Sequence, residues 1–342
     1  MTDYLDDPWR VSVGDFPASD DWSEKARYLI ACASLAPSGH NTQPWLFDIG
    51  DDWIDLYADR RRALPVIDPD DRELIMSCGA ALGTLGIAAR RFGYGPQVEL
   101  TDPGEDSDRL ARVHFGPGEP ADDGEQGLFA AITRRRTDRG PFRNSDRIGP
   151  SLEACRSLAA RFGVDLKPVL DADTKQAIAE LVGEANRIQF DDPQFRRELA
   201  AWIHSRRLGS RDGISGHALG MPDLLSPIGR LVVRTFDLGD GVAADDQRKI
   251  EEGSPALSVL STRADDRDAW LASGRALARV LLHLTRDGLS HSYLNQPIEV
   301  DGLRPRVAEA VDLKGHPQLL LRVGKAGQPK PSMRRPVADL IC

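Results

Sequence analysis

The chain has 342 residues, 41% hydrophobic and 28% charged, which is typical of a soluble globular protein with two domains or one large one. Its net charge of −9 argues against non-specific binding to nucleic acid, which requires a basic surface. No run of about 18 apolar residues predicts a membrane span, and the acidic N-terminus lacks the features of a signal peptide.

The cysteines predict neither disulfides nor a metal site. Cys32, Cys78, Cys155 and Cys342 show no paired spacing, and the chain contains no Cys-x-x-Cys or His-x-x-x-His pair. A chain of this length buries enough surface to fold without cross-links. We therefore expect reduced thiols in a cytoplasmic protein.

The first half of the chain, residues 1–120, predicts a helix, a hairpin, a long helix and two further strands. The predicted elements are a helix over 26–33, strands over 45–49 and 53–57, a helix from 69 to 92, and strands near 97–101 and 111–115. The long helix carries Gly79, Gly83 and Gly86, each of which costs up to about 1 kcal/mol of helix stability. We therefore expect close packing against a second helix at the centre of the fold.

The second half, residues 121–342, repeats this pattern loosely. Helical periodicity covers 126–135, 151–162, 173–191, 193–207 and 267–287, and strand patterns cover 256–262 and 318–323. A segment at about 208–255 is rich in Gly and Pro and shows little sustained periodicity. It is either a surface excursion with short helices or a lid over an active site.

A loop dense in small and amide residues, at 36–47, separates the first predicted helix from the first strand. Ser38 offers a hydroxyl, and Asn41 and Gln43 offer amides, to a ligand rich in carbonyls and ring nitrogens. An ordinary polar turn uses the same residue types, so the loop alone leaves both interpretations open.

Two basic segments offer guanidinium groups. One contains Arg135, Arg136, Thr137 and Arg139, and the other, near the C-terminus, contains Lys325, Arg334 and Arg335. Arginine forks match phosphate oxygens in bidentate geometry. A solvated basic face is the alternative interpretation.

The loop resembles the flavin-ring loop of the FMN-dependent nitroreductase family, whose motif is Pro-Ser-x-x-Asn-x-Gln-Pro-Trp. All six fixed positions match, at Pro37, Ser38, Asn41, Gln43, Pro44 and Trp45. The segment 135–139 resembles the family's Arg-Arg-Ser-x-Arg motif, with threonine in place of serine and a departure before Phe142. Most of residues 22–340, including the phrase at 68–79, is similar to the fused-repeat, twin (Acg-like) actinobacterial subfamily.

The resemblance implies an α+β, nitroreductase-like fold with mixed, mostly antiparallel sheets wrapped by helices. It implies that the flavin ring contacts Pro37, Ser38, Gly39, Asn41 and Gln43. It further implies that the phosphate and ribityl chain contact Arg135, Arg136, Thr137, Arg139, Lys325, Arg334 and Arg335. Gln296 and Pro297, with Ser290, fall where the family places a loop against flavin N5.

The chain contains one ring loop and one basic motif, in different halves. The resemblance therefore implies a fused pseudo-dimer that binds one FMN per chain and is monomeric. It also implies hydride transfer from NAD(P)H through flavin N5 to a nitroaromatic or quinone-like acceptor, with no catalytic side chain required. The alternative is a non-enzymatic FMN-binding or flavin-sequestering protein with a lid. A single histidine in a loop is more often a satisfied or solvated group, so we do not assign His40, His204 or His217 as catalytic residues.

Overall fold

The computed structural model describes residues 3–102, 104, 108–205, 209–216 and 226–342. Within them, two four-stranded antiparallel sheets are wrapped by helices, and one short two-stranded pair is parallel. The predicted α+β class, with mixed and mostly antiparallel sheets, is confirmed. No helix in these residues combines the length and the apolarity needed to cross a bilayer.

The first sheet is formed by the first half of the chain. Its elements are α1 (Trp22–Ala33), β1 (Trp45–Ile49), β2 (Trp53–Ala58), α2 (Arg72–Arg91), β3 (Tyr94–Leu100) and β4 (Arg109–Pro117). The strand order is β1-β2-β4-β3. The hairpin of β1 and β2 pairs Trp45 with Ala58, which buries the Trp45 ring in the first core.

The second sheet is formed by the second half of the chain. Its strand order is β5 (Asp165–Val169), β8 (Ala256–Thr262), β10 (His316–Gly324) and β9 (Ser290–Tyr293). Before it come α3 (Asp123–Ala131) and α4 (Ile148–Ala160), followed by β5 (Asp165–Val169), α5 (Ala172–Asp191), α6 (Pro193–Ala201), β6 (Ile203–His204) and β7 (Ile214–Ser215). Then follow α7 (Ser226–Thr235), α8 (Gly239–Glu251), β8 (Ala256–Thr262), α9 (Arg267–Arg286), β9 (Ser290–Tyr293), α10 (Gln296–Glu299), α11 (Arg304–Ala310) and β10 (His316–Gly324).

The two sheets share one topology. In each, a 20-residue helix, α2 or α9, connects the second strand to the third, and the fourth strand lies between the second and third. The second sheet differs by an insertion, α5 to α8, between its first and second strands. The predicted lid lies in this insertion.

The glycines of α2 allow it to pack closely on α9. A Cβ atom on Gly79 would lie 2.3 Å from the Leu271 carbonyl oxygen, and one on Gly274 would lie 2.0 Å from that of Met76. Gly83 is similarly constrained, at 2.9 Å from the Arg275 carbonyl oxygen. The predicted close packing is therefore confirmed for Gly79 and Gly83. It is wrong for Gly86, which faces only side chains of its own half.

The two halves interlock rather than separate at residue 120. The first hydrophobic core includes Phe129, Val337 and Leu340, which belong to the second half of the chain. The C-terminal segment returns to the first sheet, where Ile341 bridges Phe47. Packing contacts therefore cross the boundary between 1–120 and 121–342. The division of the chain into two duplicated halves at this boundary stays a prediction.

The segment predicted as a lid, 208–255, is partly a core element. Helix α8 packs against α5, and Ala243 and Ile250 are fully buried. The prediction of weak periodicity was wrong for α8, whose buried positions include small residues such as Gly239 and Ala243 that carry little apolar signal. His217 lies outside the described residues.

Candidate functional site

The loop between α1 and β1 is held in a strained conformation. His40, Asn41 and Gln43 have φ values of 47°, 57° and 52°. Left-handed backbone at a non-glycine residue costs roughly 1–3 kcal/mol and persists where surrounding contacts enforce it. One such contact is the Gln43 N–H, which donates to the Ser38 hydroxyl oxygen at 3.0 Å.

The two loop amides are bonded to the rest of the chain. Asn41 Nδ2 donates to the carbonyl oxygens of Gly213 and Met333, both at 3.1 Å. Gln43 Nε2 donates to the Arg211 carbonyl oxygen at 3.0 Å. An amide has two N–H donors, so both donors of Asn41 are used. These side chains fix the loop in place, and the predicted ligand contact through them stays a prediction.

The C-terminal arginines contact the loop directly. Arg334 Nη1 donates to Asn41 Oδ1 at 2.6 Å, and the Arg335 N–H donates to Gln43 Oε1 at 2.9 Å. Arg335 also lies 3.9 Å from the Asp59 carboxylate. Arg335 is therefore already paired, whereas Arg334 has no carboxylate partner in the part of the chain that the structure describes.

The basic motif reaches the same place. Arg135 and Arg334 are 4% and 3% exposed, and both donate to the Leu35 carbonyl oxygen, at 3.3 and 3.4 Å. Burial lowers the pKa of Arg334, and the charges of Arg135 and Arg136 lower it further. Arg135, Arg136 and Arg334 form the arginine cluster. It lies where the loop begins, immediately before Pro37.

The arginine cluster carries no acidic partner. Within the described residues, no Asp or Glu oxygen lies within the 4.0 Å ion-pair limit of these three guanidinium groups or of Arg139. Burial lowers the pKa of Arg136 to about 10, with Arg135 as the second cause. Burying a cation is costly unless it is paired, so a cluster without acidic partners among the described residues suits a bound anion, and anion binding here stays a prediction.

Three further side chains lie near the cluster and act on one another through their charges. Arg139 is exposed and has no hydrogen bond to a described residue, yet burial lowers its pKa. Burial and the charge of Arg139 lower the pKa of His40 to about 4, so the imidazole is neutral at pH 7. Burial raises the pKa of Tyr293 to about 12, and its hydroxyl has no partner. A side chain that is accessible and yet desolvated faces an enclosed space, so we infer a cavity between these three side chains.

Strand β9 joins the basic motif to this cavity. Thr137 forms a parallel bridge with His291, whose Nε2 lies 3.4 Å from Arg135 Nη1. His291 is fully buried, and its Nδ1 has no partner. Thr137 therefore aligns the basic motif with β9, and its predicted contact with FMN stays a prediction.

The opposite side of the cavity is acidic. Glu73 Oε1 accepts hydrogen bonds from Asn295 at 3.0 Å and from Arg72 at 3.1 Å. Burial and the nearby Glu73 charge raise the pKa of Glu299 well above its ordinary value. Burial likewise raises the pKa of Asp68 to about 6.

The remaining predicted residues occupy different places. Gln296 Nε2 donates to Asp246 Oδ2 at 3.0 Å, and Asp246 also acts on the pKa of Arg139, so Gln296 borders the cavity. Pro297 is buried in α10, and Ser290 pairs with Gly324 in the second sheet. Lys325 is exposed and pairs through its backbone with Arg143. Among the described contacts, none joins Lys325 to the arginine cluster.

The sequence interpretation missed four residues of the site: Trp9, Glu73, His291 and Tyr293. Alternation in the short strand β9 is a usable signal for the last two. Trp9 lies in a 3-10 turn, Pro8–Arg10, and no local pattern marks it.

Comparisons with known proteins follow the length of the chain. No family model matches it. The putative NAD(P)H nitroreductase Rv3131 of Mycobacterium tuberculosis (strain ATCC 25618 / H37Rv) is 34% identical over 325 residues, covering 93% of this chain and 91% of that protein. The putative NAD(P)H nitroreductase acg of the same strain is 28% identical, covering 93% of this chain and 94% of that protein.

The chain therefore belongs to the NAD(P)H nitroreductase family, and the predicted relationship to the Acg-like group is confirmed. A more distant similarity is to the crystal structure of the FMN-dependent nitroreductase NfnB from Mycobacterium smegmatis in complex with NADPH. It is 16% identical with a TM-score of 0.39, covering 61% of this chain and 95% of that one. A superposition this loose supports no assignment.

Proposed function

We propose that this chain is an FMN-dependent oxidoreductase of the nitroreductase type. It would pass hydride from NAD(P)H to a small nitroaromatic or quinone-like acceptor. Two mycobacterial relatives are named putative NAD(P)H nitroreductases, which supports NAD(P)H as reductant. The observation that carries the proposal is the arginine cluster, whose Arg135 and Arg334 are buried beside the ring loop and which has no carboxylate partner among the described residues.

The residues fit the phosphate of FMN. Its dianion would supply the charge that Arg135, Arg136 and Arg334 lack, and bidentate guanidinium geometry suits phosphate oxygens. The Nε atom of Arg334 is buried without a partner, which leaves a donor for such a ligand. Arg139 offers further donors in the cavity, next to the neutral His40.

When bound, FMN would supply the hydride chemistry through flavin N5, and the protein would supply binding, orientation and electrostatics. The arginine cluster would neutralise the phosphate, and the strained loop from Pro37 to Gln43 would border the ring. Gln296 and Pro297 would border the cavity from α10. No side chain of this chain is assigned as a catalytic acid or base.

We propose one FMN per chain, in a fused pseudo-dimer that is monomeric. The repeated strand order of the two sheets supports an internal duplication. The single basic motif and the single ring loop support one complete site. Four cysteines without disulfides support a cytoplasmic setting.

One observation favours the second candidate, a protein that sequesters FMN. Residues 209–216, which we call the strap, bond directly to the ring loop through the carbonyl oxygens of Arg211 and Gly213. Asp212 anchors the strap by pairing with Arg62 and, at 2.8 Å, with His204 Nδ1. A closed strap of this kind would restrict access of a nicotinamide to the site.

Anaerobic reduction distinguishes the two functions. The protein is loaded with FMN and mixed with NADH or NADPH, and the visible absorbance of oxidised flavin is followed. Rapid bleaching is expected for the reductase. A stable yellow protein that bleaches only with dithionite would favour sequestration. Failure to bind FMN would overturn both, and a stoichiometry of two FMN per chain would overturn the single-site proposal.

A further inference from the structure

We infer, on the basis of the proposed function, that Trp9 is a positioning residue for the phosphate of FMN. Its indole would hold Arg136 and Arg334 in the orientation that the phosphate requires. Trp9 comes from the N-terminal segment, outside both the ring loop and the basic motif.

The indole contacts both arginines. The guanidinium carbon of Arg136 lies 3.7 Å from the centre of the Trp9 ring, and that of Arg334 lies 5.0 Å from it. Trp9 Nε1 donates to the Ser332 carbonyl oxygen at 2.7 Å, and the Ser332 hydroxyl oxygen accepts from Arg334 Nη1 at 2.6 Å. Trp9 is therefore fixed to the same C-terminal segment that carries Arg334.

Arg136 needs such a support. Its described hydrogen bonds go only to backbone carbonyls of its own turn, those of Thr133 at 2.9 Å and Arg135 at 2.7 Å. The charges of Arg135 and Arg136 also lower the pKa of Arg334, so these like charges repel. Stacking on an aromatic face is attractive for both cations and opposes that repulsion.

An aromatic partner suits an anion site better than a carboxylate would. The N–H donors of a guanidinium group lie in its plane, so an aromatic ring over its face does not itself occupy any of them. A carboxylate would occupy those donors and cancel the charge that attracts phosphate. The absence of acidic partners among the described residues and the presence of Trp9 thus have one explanation.

The test compares FMN with riboflavin, which lacks the phosphate. Affinities of both flavins are measured by fluorescence titration for the wild-type chain, Trp9→Ala, Trp9→Phe and Trp53→Ala. Trp53 is a matched control, because Arg112 stacks on it at 3.8 Å and neither residue belongs to the site. Folding of each variant is checked by circular dichroism and thermal unfolding.

We expect Trp9→Ala to weaken FMN binding about tenfold, the size expected when cation–π contacts are lost, and to leave riboflavin binding unchanged. Trp9→Phe should restore part of the loss, because it keeps an aromatic face but not the bond to Ser332. Trp53→Ala should alter neither affinity.

An equal loss of both flavins in Trp9→Ala, or no loss of FMN, would overturn the inference. Either result leaves the proposed function standing, provided the wild-type chain binds FMN. A wild-type chain that does not bind FMN, or that does not prefer FMN to riboflavin, would overturn the proposed phosphate site itself. The two failures are therefore distinguishable.

Discussion

Arg136→Ala is the cleanest perturbation of the proposed phosphate site. The hydrogen bonds of Arg136 go to its own turn, so its removal leaves the bonds among Asn41, Gln43 and the C-terminal arginines intact. A hydrogen bond to a charged group contributes about 1.5–3 kcal/mol. At about 1.4 kcal/mol for each factor of ten, FMN affinity should fall roughly 10- to 150-fold.

The assay is equilibrium titration of FMN fluorescence, with Arg134→Ala as the matched control. Arg134 is the exposed neighbour in sequence, and its replacement changes the net charge by the same amount. Because the pKa of Arg136 is about 10, wild-type affinity should hold below that pH and decline above it, and the decline should be weaker in the variant. Equal effects of the two substitutions, or unchanged binding in Arg136→Ala, would refute the assignment.

Three further predictions concern the loop, the central helices and the buried acids. Asn41→Ala removes the hydrogen bonds to Gly213, Met333 and Arg334. We therefore expect FMN binding to weaken about tenfold and proteolysis of the strap to become faster. Unchanged FMN affinity together with an unchanged rate of proteolysis would contradict the positioning role of Asn41. Gly274→Ala should lower the free energy of unfolding by about 1–3 kcal/mol in urea titrations, because its Cβ atom would overlap the Met76 carbonyl. Gly86→Ala is the control and should not destabilise the protein, because its Cβ atom would have no contact closer than 3.4 Å. Equal effects of the two substitutions would contradict this reasoning. The raised pKa of Glu299 means that the folded state binds the proton more tightly than the unfolded state, so stability falls as pH rises above the ordinary value of 4.5. Glu299→Gln should make that fall less steep in urea titrations over the same pH range, and an unchanged slope would show that Glu299 does not cause it.

The sequence by itself determined the local structure and the family. Strands β1 and β8 begin and end at the predicted residues, because alternation and flanking turn residues act over a few positions. The ring loop and the basic motif are each continuous in sequence, so both could be recognised without any knowledge of contacts. The cost of glycine to a helix also indicated a close neighbour, correctly for Gly79 and Gly83 but not for Gly86.

Only the tertiary structure decided which groups share the site and what state they are in. The Asn41 side chain donates to the carbonyl oxygens of Gly213 and Met333, which are separated from it by 172 and 292 positions along the chain. No local pattern predicts such contacts. The partners of the cluster and the cavity, Trp9, Glu73 and Tyr293, come from three separate elements. Charge state depends on desolvation and on neighbouring charges, and both arise only when the chain is folded. For that reason the sequence indicated arginines that bind an anion, whereas the fold revealed which of them lack a partner.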